Sequence, residues 1–395
     1  VLSHKKLAIF QPYLFILILF FSVFFLIYAN FNSAEITSID FIGSATLPTG
    51  LLFQNTEVGG LSGITYDEQN DLYYAVSDDR SNKTAARIYT LKIDLSKGSL
   101  HNGGVIPVAV TFLSSETGQN FPPGSIDPEG IAVTNKATVF ISSEGNANQA
   151  ISPFIKEFSL ASGKEVTTLP IPDKFLPVAN GQQGIRNNLA LESLTITPNQ
   201  KYLFTATENA LIQDGSAAAP NTNTPCRIEQ YNLHTHQPEK EFLYFTEPVA
   251  SSLFFNISHK FISGLADLLA LDNQGHFLSL ERYFTGLKFQ AALFQFSLKG
   301  ATDIHHIHSL LAANFPNIKP VKKSLLLDLG KLNILLDNIE GVTLGSKLPG
   351  GYRSLILISD NNFNFLQRTQ ILAFQLKKES PFLRLLRHLI FDGER

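Results

Sequence analysis

The chain has 395 residues, of which 31 are basic and 34 acidic, giving a net charge of −3. No long basic run breaks that balance, which argues against nucleic acid as a partner. Cys226 is the sole cysteine, so no intramolecular disulfide can form, and the length suits either one large repeat-built domain or two ordinary ones.

The first predicted element is a membrane segment. Residues 7–29, "LAIFQPYLFILILFFSVFFLIYA", carry no charge, follow Lys5 and Lys6, and precede the first acids at Glu35 and Asp40. Such a run is long enough to cross a bilayer as a helix with its basic flank in the cytoplasm. Residues 1–34 therefore read as a membrane anchor or signal segment. Neither Ile27-Tyr28-Ala29 nor Asn32-Ser33-Ala34 has the small residue three places before the cut that a cleavage site prefers. The expectation is an extracytoplasmic domain in the cell envelope, tethered through residues 7–29, or secreted or periplasmic if the segment is cut.

Residues 35–378 show one pattern five times. "IDPEGIAVTNKATVFISSEG" (126–145) reads as two short strands joined by a polar turn at Asn135 and Lys136, with Asp127 and Glu129 at its start and Glu144 at its end. The same hairpin occurs in "GLSGITYDEQNDLYYAVSDDR" (60–80), "LALESLTITPNQKYLFTATEN" (189–209), "ISGLADLLALDNQGHFLSLERY" (262–283) and "NIEGVTLGSKLPGGYRSLILISDNN" (338–362). With Gly63, Gly130, Ser193, Leu265 and Gly341 taken as equivalent, the intervals are 67, 63, 72 and 76 residues. Each interval has room for two more strands, such as "RIYTLKIDL" (87–95) and "VIPVAVTFL" (105–113) after the first hairpin.

Four short strands per repeat describe a β-propeller blade, so the predicted fold is an all-β propeller with five recognisable blade repeats. The stretches 210–262 and 284–337 leave room for a sixth blade, and a pair of β-sandwiches is the rival architecture. The last repeat has only three strands, and "ITSIDFIGSATL" (36–47) is a strand left over near the start. The two ends are expected to complete one blade together. Residues 379–395 form an amphipathic tail, with Phe382, Leu386, Leu389 and Ile390 at helical spacing among Arg384, Arg387 and His388.

A hairpin returns to its starting edge, so five hairpins around an axis should present their acids to one opening. That places Asp78, Asp79, Asp127, Glu129, Glu144, Glu192, Glu208, Asp267, Glu281, Glu340 and Asp360 on a common face, with Arg80, Arg186 and Arg282 as the nearby bases. Crowded carboxylates must take up protons, pair with bases or hold a cation. Calcium, which accepts six to eight oxygen ligands in loose geometry, is the expected cofactor. The bland alternative is that acids at strand ends accept hydrogen bonds from loop amides and brace adjacent blades.

The segments "GIRNNLALESLTITPNQKYLFTATE" (184–208), "GLADLLALDNQGHFLSLERYF" (264–284), "DPEGIAV" (127–133), "NIEGVTL" and "LISDNNF" (357–363) resemble the bacterial phytase-like domain called "esterase-like activity of phytase". The resemblance implies an exported β-propeller related in name to calcium-dependent phytases. Arg186, Asn187, Glu192, Glu208, Glu281, Arg282, Glu340 and Asp360 stand where that family's motif residues stand. Its Glu-Gly step is Glu192-Ser193 here, and Gly264 to Asp267 replaces it in the fourth repeat.

The expected activity is calcium-dependent hydrolysis of a small phosphate ester or other anionic ester, by a phosphatase or phosphodiesterase. Asp78, Asp79, Asp127, Glu129, Glu144, Glu340 and Asp360 are the candidate metal ligands. Arg186, Glu192, Glu208, Glu281 and Arg282 are the candidate catalytic residues, and Arg80, Arg186, Asn187 and Arg282 the candidate substrate contacts. The alternatives are a non-catalytic ligand-binding or scaffold propeller with structural calcium, and a lactonase-like propeller hydrolase. A serine hydrolase is disfavoured, because "SDD" and "SSE" lack the flanking glycines of a nucleophile elbow. "DIHHIHSLL" (303–311) offers His305, His306 and His308, but no further Cys or His lies near in sequence to complete a zinc site, so it reads as a surface loop. The oligomeric state stays open.

Overall fold

Runs of β-branched and aromatic residues ending in polar turns set the architecture, and most of these runs are buried on both faces. Tyr73 and Ala75 pack into one apolar cluster, while their neighbours Tyr74 and Val76 pack into another. Successive side chains on a strand point to opposite faces, so a strand that fills two clusters must lie in a sheet sandwiched between two others. The computed structural model describes residues 36–178, 181–250, 261–286, 288–313 and 317–378.

The strands follow the chain blade by blade. β1 (Ile36–Leu47) comes first, then a small hairpin of β2 (Leu52–Phe53) and β3 (Thr56–Glu57). Blade 1 holds β4 (Leu61–Asp67), β5 (Leu72–Ser77), β6 (Arg87–Ile93) and β7 (Val105–Phe112). Blade 2 holds β8 (Pro128–Val133), β9 (Thr138–Ser143), β10 (Phe154–Ser159) and β11 (Glu165–Leu169). Blade 3 holds β12 (Leu191–Ile196), β13 (Tyr202–Thr207), β14 (Pro225–Asn232) and β15 (Gln237–Phe245). Blade 4 holds β16 (Ile262–Ala270), β17 (His276–Phe284), β18 (Phe289–Ser297) and β19 (Lys322–Asp328). Blade 5 holds β20 (Asn338–Lys347), β21 (Arg353–Asp360) and β22 (Thr369–Lys378), and β1 adds to it outside β22.

The described residues thus form a five-bladed propeller, closed by pairing the first strand with the last. The two long stretches that left room for a sixth blade supply the outer strands of blades 3 and 4 instead. The inner strands pack in ring order, β4 on β8, β8 on β12, β12 on β16, β16 on β20 and β20 on β4. Apolar clusters lie between successive blades, as where Phe204 and Ile228 of blade 3 meet Phe277 and Phe296 of blade 4. Gly130 explains one half of the recurring Glu-Gly step. A Cβ there would stand 2.7 Å from the Leu194 amide nitrogen, so the close approach of β8 to β12 requires glycine.

No helix among the described residues is long and apolar enough to cross a membrane. The predicted membrane segment at 7–29 and the predicted tail at 379–395 lie outside the described residues.

Candidate functional site: an acidic channel mouth

Strand register decides which side chains reach the mouth. Leu61 pairs with Ser77, Leu191 with Thr207, Leu265 with Glu281 and Ile339 with Ser359. In blade 2, Pro128 pairs with Ser143. The next residue along each second strand is therefore equivalent in all five blades: Asp78, Glu144, Glu208, Arg282 and Asp360. Four acids and one arginine occupy the five positions.

Just inside this level every inner strand carries a β-bulge. The skipped residues are Ser62, Glu129 with Gly130, Glu192, Ala266 and Glu340. A bulge re-aims the extra side chain, and here it turns three glutamates toward the acids of the first level. Gly264 makes room for one contact, since a Cβ on it would stand 2.3 Å from Glu208 Cγ.

This register corrects the predicted alignment of the fourth repeat by one or two places. Arg282, not Glu281, takes the mouth position. Glu281 points away and accepts hydrogen bonds from Tyr244 Oη at 2.6 Å, from the Glu247 amide at 2.8 Å and from Lys323 Nζ. Asp267, not Leu265, is the counterpart of Gly63 and Gly341. Its carboxylate accepts the Leu268 amide and, 2.8 Å away, the Val342 amide of the neighbouring inner strand. Asp267 braces inner strands and does not belong to the mouth cluster.

Burial and mutual repulsion dominate the electrostatics. Asp127, Glu129, Glu144, Glu192, Glu208, Glu340 and Asp360 are all buried. Burial, reinforced by Glu340 and Asp127, pushes Asp78 up to about 8. Burial with Asp127 does the same to Glu144, pushed up to about 8. Glu208 rises less, to about 7, because Arg282 opposes the cost of burial. Glu129, Glu192 and Asp360 are pushed well above the usual carboxylate range by burial and then by neighbouring acids. Burial would lower Arg282, but Glu340, Glu208 and Glu192 outweigh it and keep the guanidinium charged.

The cations are few and specifically placed. Arg282 lies 3.2 Å from Glu208 and 3.0 Å from Glu340, and donates to Asn338 Oδ1 at 3.0 Å. Arg80 grips Asp127 with two nitrogens at 2.6 Å each, and reaches Asn188 Oδ1 at 2.5 Å. Its side chain is 37% exposed, which makes it the cation most open to a ligand.

Other predicted residues sit elsewhere. Arg186 spends its guanidinium on the carbonyls of Ala210 at 3.0 Å and Gly215 at 2.6 Å, holding a loop in shape. Asn187 accepts the Asn148 amide, and it is Asn188 that touches Arg80. Asp79 is buried against Arg87 at 2.5 Å and accepts the amides of Lys83 and Thr84, so both of its oxygens are engaged away from the cluster. Asn338 and Asn361 were missed by sequence reasoning. Asn338 donates to Glu340 at 2.9 Å, and Asn361 accepts the Gly60 amide at 2.8 Å while its buried Nδ2 has no acceptor among the described residues. Their adjacency to Glu340 and Asp360 in "NIEG" and "SDNN" was the available signal.

The donor set fits a hard cation. One oxygen each from Asp127, Glu129 and Glu144 lie within 4.8 Å of one another. Buried oxygens of Asp78, Glu144 and Glu208 have no hydrogen-bond donor among the described residues. Oxygen-only donors suit a hard cation better than a soft transition ion.

Fold and site together define a five-bladed β-propeller whose channel mouth is a buried carboxylate cluster with two arginines. The chain belongs to the Phytase-like family, "Esterase-like activity of phytase", which matches residues 56–363. That match covers the acidic mouth in all five blades and leaves out the closing strands β1 and β22. No curated protein matches the chain in sequence. Among solved structures it is similar to an endo-arabinase from Bacteroides thetaiotaomicron, 11% identical with a TM-score of 0.41, covering 85% of this chain and 98% of that one. It is also similar to the catalytic domain of a Coprinopsis cinerea GH62 alpha-L-arabinofuranosidase, 9% identical with a TM-score of 0.43, covering 86% and 98%.

Proposed function

We propose that the mouth is the active site of an extracytoplasmic, calcium-dependent hydrolase of phosphate esters. The observation that carries this reading is the convergence of Asp127, Glu129 and Glu144 at a mouth where eight carboxylates meet only two arginines. Ionised or protonated, these carboxyls offer an anionic ester no positive charge, so a bound cation would be needed to hold it there. Asp127, Glu129 and Glu144 are the residues that would hold the ion. When bound, calcium would supply positive charge for the phosphoryl oxygens and acidify a water.

The chain's own groups then divide the remaining tasks. Arg80, fixed by Asp127 and Asn188, presents an exposed guanidinium that can bind phosphate oxygens by bidentate contact. Arg282 keeps Glu208 and Glu340 in place from the opposite side of the cluster. Glu208, pushed up to about 7, can exchange a proton near neutral pH, as a general acid or base must. Glu208 and Arg282 are buried away from bulk water, whereas Arg80 stays open to it.

The competing reading is a propeller whose acids hold a structural ion or simply brace the blades. It draws on Glu144, which accepts the Ala190 amide of the next blade, and on Arg282, which ties blade 4 to blades 3 and 5. The full chain should be assayed on a panel of phosphate esters and lactones, with calcium and with chelator. Phosphate release that needs calcium supports the hydrolase. Lactone opening without phosphate release would favour the lactonase-like alternative, and inactivity on every substrate, with calcium still raising the melting temperature, would favour the structural ion.

A further inference from the structure

A second polar cluster lies on the outer strands of blade 3. Glu229 of β14 and Glu241 of β15 are direct cross-strand partners, and both are buried at 1% and 0% exposure. Two carboxylates facing each other across a ladder repel, so their burial calls for positive charge nearby. Glu241 has it, from Arg227 and from Lys174 Nζ at 2.9 Å. Arg227 is itself shared with Asp214, at 2.5 and 2.7 Å.

Glu229 feels Lys174 and Arg227 but makes no direct ion pair with either. Neither of its carboxylate oxygens receives a hydrogen bond from any described residue, and the nearest cationic candidate is His305 Nδ1 at 3.6 Å. That imidazole nitrogen also lacks a hydrogen-bond partner among the described residues. His305 belongs to the connection between β18 and β19 of blade 4, which crosses onto the edge strand of blade 3. The Ile304 amide bonds the Glu241 carbonyl at 2.8 Å, the Val321 amide bonds the Leu243 carbonyl at 2.9 Å, and Lys174 Nζ bonds the His305 carbonyl at 2.6 Å. The histidine loop is thereby pinned with its ring over the two glutamates, and His306 stacks edge-on against that ring at 5.3 Å.

We propose that Glu229, Glu241 and His305 bind one divalent transition ion of the zinc class, at a site separate from the oxygen-only mouth. One ligand atom from each lies within 4.8 Å of the other two. A mixed set of carboxylate oxygen and imidazole nitrogen favours zinc and its neighbours over calcium. The charge count agrees. Asp214, Glu229 and Glu241 face Arg227 and Lys174 and, at 3.6 Å, the His305 ring, which leaves one carboxylate to be balanced by the imidazole, an ion or a proton. The His305 side chain is 24% exposed, so an ion can reach the site from solvent beside it. Because the ligands come from two blades, the ion would staple the long connection of blade 4 onto the edge of blade 3.

The test uses the full chain, stripped with chelator, returned to excess calcium so that the mouth is filled, and titrated with Co2+, whose visible d–d bands report nitrogen and oxygen ligands. One equivalent of Co2+ should bind with such bands and be displaced by Zn2+. His305→Ala and Glu229→Gln should each weaken binding by at least about tenfold, whereas Glu116→Gln, an exposed acid that belongs to neither cluster, should bind as the parent does. His305 sits on a solvent-facing loop, so His305→Ala carries the test even if Glu229→Gln fails to fold, and the melting temperature of the stripped protein checks that it is intact. If no Co2+ binds in the presence of calcium, or if His305→Ala binds it as tightly as the parent, the proposal is overturned and the two glutamates share a proton only.

Discussion

The guanidinium of Arg282 in blade 4 lies 3.0 Å from the carboxylate of Glu340 in blade 5, at the one mouth position where the other four blades place an acid. One repeat has thus replaced a negative charge by a positive one, and the replacement neutralises acids on both sides of it. Removing one member of a buried ion pair leaves the other uncompensated. Arg282→Gln should therefore destabilise the protein by roughly 3 kcal/mol in chelator at neutral pH. It should also enlarge the calcium-induced rise in melting temperature, since the ion would then face Glu208 and Glu340 unopposed. Thermal unfolding with and without calcium checks both. An unchanged apo stability would show that protons, not Arg282, balance the cluster.

The raised acids predict an unusual pH dependence. Asp78 moves from its ordinary 3.8 to about 8, and Glu144 from 4.5 to about 8. A carboxyl whose folded value lies above its unfolded value binds more protons when folded, so stability falls as pH rises between the two. In chelator, the melting temperature should decline as pH rises from about 4 through about 8, the window set by Asp78 and Glu144. Calcium favours the ionised form, so its stabilising effect should grow across the same window. Melting curves in matched buffers test this, and a calcium effect that is flat with pH would contradict it.

Much of this was legible in the sequence. The hairpin repeat, the blade count and the closing role of Ile36–Leu47 follow from period-two patterning and from a strand left over at each end. What the sequence hid was register. Glu281 and Arg282 are adjacent, and a shift of one residue on a strand exchanges the face that points to the mouth for the one that points into the blade. Likewise Asp79 follows Asp78, yet its buried partner Arg87 lies on the next strand and is invisible in a single hairpin. The cluster of Glu229, Glu241 and His305 was illegible for another reason: its histidine comes from a different blade.

Those register assignments separate two variants that look alike in sequence. Glu129→Gln removes one of three converging oxygen donors and should lower calcium affinity by at least about tenfold, or about 1.4 kcal/mol. Asp79→Asn removes a neighbouring acid with no place in the cluster and should leave calcium affinity as it is. It should instead cost about 3 kcal/mol of stability, because Arg87, fully buried, loses its only carboxylate partner among the described residues. Calorimetric titration and denaturant unfolding of both variants decide the matter. Equal losses of calcium affinity would mean that Asp79 belongs to the site after all.

The closure of the ring by β1 makes the last prediction. β1 adds to blade 5 beside β22, and Phe41 packs on Phe374 with ring centroids 5.4 Å apart. Without β1, blade 5 would have three strands and β22 would present an unpaired edge, which invites pairing with another chain. Blade 5 also carries Glu340 and Asp360, so a loosened blade 5 disturbs the mouth from a distance. Replacing residues 36–47 with a flexible linker should yield protein that aggregates or unfolds well below the parent's melting temperature, and any soluble fraction should bind calcium more weakly. Size-exclusion chromatography and thermal unfolding measure the first effect, and titration of the monomeric fraction the second. A monomer as stable as the parent would mean that the other nineteen blade strands hold the ring without closure, and that the pairing of the two ends is incidental to the site.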